Sequence, residues 1–195
     1  MVVLLNDEEM ALCLEIAGGR NRKEGRFGAM TYGGVRGSLE AHLLGVVPEY
    51  AVARLVGGRV DREVFDGRGD DGRDLVTPLG LVVAVKSTTY KADPWLRVEV
   101  RHLKPDVDRW VCCAYDGGHE VVLAGWAGRD VVLAAPLKRL RPGGPLNRVV
   151  RPALLRPMDE WWCEDVPRGE PEVDQRVVRG HVRAGQHERQ GGRSG

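Results

Sequence analysis

The stretch GDDGRDLVTPLGLVVAVKSTTY, residues 69–90, constrains the fold more than any other. Asp74 opens a short apolar run, Leu75-Val76-Thr77, and Pro78-Leu79-Gly80 follows as a turn signal. Proline presets φ and glycine tolerates a positive one. A second apolar run, Leu81 to Val85, ends on Lys86. Two such runs around a short glycine-containing turn predict a β-hairpin. With the turn centred near Leu79, Asp74 lies opposite Ala84. Side chains alternate along a strand, so Ala84 and Lys86 share a face with Asp74. A carboxylate and a lysine are thereby expected to meet at the polar end of an apolar hairpin.

The rest of the chain is large enough to carry such a hairpin in a core. Its 195 residues amount to roughly one domain. With 43% hydrophobic and 29% charged residues the composition is that of a water-soluble globular protein. The formal net charge of +1 does not announce a nucleic-acid partner, so a nuclease would need its basic residues gathered locally. Cys13, Cys112, Cys113 and Cys163 form no CxxC pair, and no histidine stands at zinc-finger spacing. Reduced, mostly buried thiols are expected. The start MVVLLNDEEM lacks the basic region and long apolar core of a signal peptide. No apolar run approaches a membrane span. The expectation is an intracellular, cytoplasmic protein with no membrane partner.

Taken in order, Asn6-Asp7-Glu8-Glu9 predicts a capped helix start, and Gly18-Gly19 should weaken or end that helix. Arg20, Arg22, Lys23 and Arg26 form a basic cluster, either a solvated face or a set of phosphate contacts. Residues 25–37 read as a glycine-rich loop without a Walker-type GK[ST]. A short helix is expected over 38–45 and a second over 49–56, with Pro48 at its first position and Gly57-Gly58 at its end. Residues 59–65 are strand-like. After Lys86, Thr88, Tyr90 and Lys91 are polar strand-end residues or phosphate contacts. Residues 95–102 alternate as a half-buried strand. Residues 110–115 and 120–124 predict a second hairpin, Gly125-Trp126-Ala127 a bend, and 131–134 a short strand. A basic segment, Lys138 to Arg156, is irregular, either lying along a nucleic-acid groove or serving as a solvated connector. Residues 158–164 predict a short amphipathic helix with Trp161 and Trp162 packed on the body. The expected organisation is one domain over 1–164 and a disordered or loosely docked tail over 165–195.

Asp74, the turn, and Lys86 at the end of the next strand resemble the signature of the PD-(D/E)XK nuclease superfamily. That signature is an acid, a turn, then Glu or Asp, any residue, and Lys. Ala84 stands where the family has its middle acid. The segment PEYAVARLVGG looks like the helix that in many members carries a glutamate toward the metal site. Glu49 matches that residue, with Glu40 as the fallback; an acid at a helix N-terminus for dipole reasons alone is the other reading. The resemblance implies an α/β protein with a restriction-endonuclease-like core: a mixed central β-sheet flanked by helices, with a β-rich C-terminal half. It implies a Mg²⁺-dependent nuclease, with Mn²⁺ as substitute, acting on DNA rather than RNA, of prokaryotic or phage type. Many relatives work as dimers, although no heptad or interface stripe marks one here.

Phosphodiester hydrolysis needs an activated water and neutralised phosphate charge, which hard oxygen-bound Mg²⁺ supplies. By resemblance Asp74 would bridge the metal positions. The Val85 carbonyl would be another ligand, and Glu49 would add one directly or through water. Lys86 would orient the water or stabilise the charge of the transition state. Arg22, Lys23, Thr88, Tyr90 and Lys91 would contact the nucleic acid. Ala84 has three accounts: a deliberate Glu-to-Ala change, an acid relocated to Glu49 or Glu99, or a naturally inactive member. The alternatives are a non-catalytic nucleic-acid-binding or assembly protein on the same fold, and an interaction protein whose Asp74 and Lys86 merely pair. No G-x-S-x-G or Cys-His setting supports a serine or cysteine hydrolase.

Overall fold

The computed structural model describes residues 1–24, 38–60 and 74–162, with side chains at 1–20, 39–60 and 74–162. The glycine-rich segment 25–37, most of the expected strand 59–65, Cys163 and the tail from 165 lie outside the described residues. The chain is mixed α/β. In order come β1 (Val2–Leu4), α1 (Asp7–Glu24), α2 (Ser38–Val56), β2 (Arg59–Val60), β3 (Leu75–Val76), β4 (Val82–Thr88), β5 (Leu96–Glu99), β6 (Arg109–Ala114), β7 (Glu120–Gly128), α3 (Arg129–Ala134), β8 (Leu137–Arg139) and β9 (Leu146–Val150). A six-stranded sheet has the order β1-β7-β6-β4-β3-β2. Within it β4 and β6 are parallel and the other pairs antiparallel. A three-stranded antiparallel sheet, β5-β9-β8, is built from the stretch 96–150, part of which the basic segment suggested would be irregular.

Helix α1 begins with a reciprocal cap. The Glu9 N–H donates to Asn6 Oδ1 at 2.9 Å, and the Asn6 N–H donates to Glu9 Oε2 at 2.9 Å. Two of the helix's orphan donors are thereby satisfied. Contrary to expectation the helix runs through Gly18-Gly19 to Glu24. Each glycine costs about 1 kcal/mol relative to alanine. Packing overrides that: Cys13 and Ala17 of α1 and Val47, Ala51 and Val52 of α2 are all 0% exposed.

The two helices expected around Pro48 are one helix, α2, with Pro48 inside it. Proline lacks the N–H that would bond the carbonyl of Leu44, four residues back. The Ser87 hydroxyl, at the end of β4, donates to that carbonyl at 2.6 Å. A tertiary contact replaces the bond the proline removes, so the helix need not break.

The hairpin forms in the expected register: Leu75 pairs with Val83 and Val76 with Val82, which continued by one residue sets Asp74 opposite Ala84. The faces of β4 divide the core. Val83 and Val85 join an apolar cluster with Val46, Val47, Val52, Val111 and Leu123 under α1 and α2. Ala84 joins a second cluster with Leu96, Val98, Trp110, Cys112 and Val150, covered by the small sheet and α3.

Other expectations are corrected. Residues 131–134 belong to the short helix α3, since so brief an apolar run fits either structure. The alternation of 95–102 stops at Glu99, and a 3₁₀ turn follows at Val100–His102. The expected bend at 125–127 lies inside β7, where the pairing steps from Cys112↔Gly125 to Cys113↔Leu123 and leaves Ala124 as an extra residue. Gly125 takes φ 144°, and its Cα faces the Arg156 carbonyl where a side chain would clash. The segment 158–162 is a 3₁₀ helix that buries Trp161 but leaves Trp162 55% exposed. The Arg109 guanidinium lies 4.3 Å from the ring centre of Trp126 and 4.6 Å from that of Trp161, and donates to the Trp161 carbonyl at 2.9 Å. Among the described residues no helix is long and apolar enough to cross a membrane.

Candidate active site

Asp74 and Lys86 come together at the mouth of the hairpin. Lys86 Nζ is 3.7 Å from Asp74 Oδ2, with the aspartate side chain 3% exposed and the lysine 26%. The same oxygen accepts a short hydrogen bond from the Val85 N–H. The Asp74 N–H donates to the Val83 carbonyl at 3.0 Å, so both ends of the residue are tied to β4. A buried carboxylate is costly without compensation; here a backbone amide donates to it and an ammonium at 3.7 Å offsets its charge. The lysine's partial exposure leaves its head at the boundary of core and solvent.

Ala84 is 1% exposed, with its methyl group in the second apolar cluster. A longer acid at this position would have to turn from that cluster toward Lys86, two residues along the same face.

Glu49 lies on α2 and is buried. Its carboxylate meets Arg20 of α1 in a fork, Nη2 to Oε2 at 2.9 Å and Nη1 to Oε1 at 3.3 Å. Helix α2 packs on the Val83–Val85 face of β4, whereas Lys86 has the parity of Ala84. The Ser87–Leu44 bond ties this helix to β4 next to Lys86. The basic residue Arg20 is therefore the partner of the candidate acid, a long-range pairing that no local spacing announces. Glu40 is exposed near the start of α2. Glu99 lies at the end of β5 in the small sheet and pairs with Arg101 at 2.6 Å.

The flanking candidates are placed as follows. Thr88 Oγ1 accepts from the Tyr90 N–H at 3.2 Å, and Tyr90 is 64% exposed. Lys91 is held by Asp116 at 3.0 Å and Glu120 at 3.6 Å, which push its pKa up. Arg22 and Lys23 lie in the last turns of α1, and their side chains are outside the described ones.

The donors near the hairpin mouth are oxygens, the right chemistry for Mg²⁺ or Mn²⁺. Their number is short. Among the described residues no three His, Cys, Asp or Glu side chains gather to hold a metal ion. Asp74 and Glu49 are each engaged by a cation, and position 84 offers none. With alanine at 84, the residues do not make a complete divalent-ion site.

No protein-family model matches the chain, and no curated protein matches it.

Proposed function

We propose that the chain is a nuclease of the PD-(D/E)XK type, built to hydrolyse DNA phosphodiesters, in which Ala84 leaves the site one carboxylate short. The observation that carries this reading is the Asp74–Lys86 pair at 3.7 Å on the hairpin register that the motif requires. A helix bearing Glu49 before the hairpin, and docked to β4 through Ser87, supports it. With a carboxylate restored at 84, that group, Asp74 and the Val85 carbonyl would form an oxygen donor set for Mg²⁺. The ion would supply charge neutralisation and an acidified water. Glu49, forked to Arg20 on the helix over the Val83–Val85 face, would stand outside that set. Lys86 would place its ammonium beside the scissile phosphate and stabilise the added negative charge.

The test is Ala84→Glu, purified and folded, on single- and double-stranded DNA with Mg²⁺ or Mn²⁺. Metal-dependent cleavage is expected, with the parent at least about a hundredfold slower, the scale of losing one transition-state contact. A folded Glu form that leaves all DNA intact with either ion contradicts the reading.

A second reading has one observation in its favour. The Ala84 methyl is sealed in an apolar cluster, as suits a chain that binds nucleic acid without cutting it. That chain would retain DNA at low salt in both the alanine and the glutamate forms and cleave it in neither.

A further inference from the structure

We propose that the outer face of the three-stranded sheet binds single-stranded nucleic acid, with phosphates on Arg97, Lys138 and Arg151 and a base stacked on Trp95. The proposal takes from the nuclease reading only the class of ligand; the face itself lies apart from Asp74 and Lys86 in sequence and sheet.

Register defines the face. Leu96 pairs with Val150 and both belong to the core cluster, so that side of the sheet faces inward. The next pair, Arg97 and Val149, takes the other side, as does the row Glu99–Asn147–Lys138; the central strand is covered there, with Val149 1% and Asn147 5% exposed, so what this side offers to solvent is its long flanking side chains, Arg97 and Lys138. Continued by one residue, the register sets Trp95 opposite Arg151. The contacts agree. Lys138 Nζ lies 5.3 Å from the centre of the Trp95 ring, and Arg151 Cζ lies 6.0 Å from it.

The charge of this face is lopsided. Arg97, Lys138 and Arg151 are exposed, and none has a carboxylate partner among the described residues. Of the two nearby acids Glu99 is paired with a cation, while Asp93 keeps its charge beside the ring. Asp93 Oδ2 accepts from Trp95 Nε1 at 2.6 Å, which fixes the ring, and Glu99 is bound to Arg101 at 2.6 Å. Cations at 5.3 and 6.0 Å from the ring sit near the outer limit of cation–π attraction, so they are free to swing onto phosphates. A fixed, partly buried indole flanked by cations without carboxylate partners among the described residues is the chemistry of a single-strand platform, where any base stacks and the backbone is neutralised. A duplex hides its base faces and would gain only the phosphate contacts.

The experiment uses the full parent chain and a fluorescent oligo-dT of about 20 nucleotides in low salt, with anisotropy as readout. Binding is expected, with a slope of log affinity against log salt of about −2 for three phosphate contacts. Lys138→Glu and Arg151→Glu should each weaken binding about tenfold or more and flatten the slope. Trp95→Ala should weaken it about tenfold without changing the slope, and Trp95→Phe, which keeps an aromatic plane, should restore most of it. Arg59→Glu, an exposed charge reversal on the other sheet, should leave it unchanged. The proposal fails if the parent does not bind the oligonucleotide, if a duplex of equal length binds as well, or if Arg59→Glu costs as much as Lys138→Glu. Cleavage by Ala84→Glu is scored separately, so either idea can fall while the other stands.

Discussion

Position 84 is where one side chain decides most. Alanine there is sealed against Trp110, Leu96 and Val98, and a glutamate would put a carboxylate beside them. Burying an acid with only partial compensation should destabilise the fold by about 2–4 kcal/mol. A metal that binds only the folded Glu form, at a hundred times its Kd, returns about 2.7 kcal/mol. The two terms are of the same size. The Ala84→Glu protein should therefore melt below the parent in chelator and regain most of the difference in Mg²⁺, while the parent melts alike in both. Thermal unfolding with and without Mg²⁺ checks this, and an Ala84→Glu melting point indifferent to Mg²⁺ would show that no ion is held there. Glu9 is a second decisive residue. The hydrogen bond from Arg54 and then the Asn6 amide hold its carboxyl below the usual value of 4.5. A lowered folded pKa means stability that is present above the unfolded value and lost as pH falls through the folded one. Glu9→Gln should cost about 1 kcal/mol near neutrality, the scale of a helix cap, and the gap should close in acid. Denaturant unfolding across that range measures it; a constant gap would mean that the charge is not what Glu9 contributes.

Among the elements, α2 shows why a local rule failed. Pro48 removes one helix bond, and local reasoning therefore ended a helix before it. The Leu44 carbonyl instead meets the Ser87 hydroxyl, a partner 43 residues away in sequence. Ser87→Ala should cost about 1 kcal/mol, the net worth of one hydrogen bond. In a Pro48→Ala background, where the helix can bond Leu44 itself, the same change should cost less, and a double-mutant cycle by chemical denaturation reads the difference. Equal costs in both backgrounds would detach the serine from the proline. The β3–β4 hairpin was legible because its information is local: alternation, a Pro-Leu-Gly turn, and an acid and a lysine at fixed offsets. The small sheet was not, because β5 pairs with β9 across some fifty residues, Leu96 with Val150, and no periodicity names a distant partner. Residues 131–134 were misread since four apolar residues fit a helix or a strand alike. The pairing of Glu49 with Arg20 belongs to the same class, a contact made only once α1 lies on α2.

At the level of the whole molecule, β4 lies between two apolar clusters, and the candidate site sits where that strand leaves them. The clusters also account for the thiols. Burial pushes Cys13 up to about 11, Cys112 to about 12 and Cys113 well above its usual value. Because the thiolate is the reactive form, these three buried cysteines should resist a thiol reagent in the native protein and react promptly in denaturant. Mass spectrometry after timed labelling counts them, and prompt native labelling at these positions would mean the clusters open. The central claim is that the Asp74–Lys86 hairpin end is a nuclease site lacking one acid. Its most direct measurement is the rate of DNA cleavage in Mg²⁺ by Ala84→Glu, alone and combined with Asp74→Asn or Lys86→Ala. The account predicts cleavage by the single variant and its loss in both combinations while the folded state persists. Cleavage that survives the loss of Asp74 and Lys86, or no cleavage by a folded Ala84→Glu protein, would contradict it.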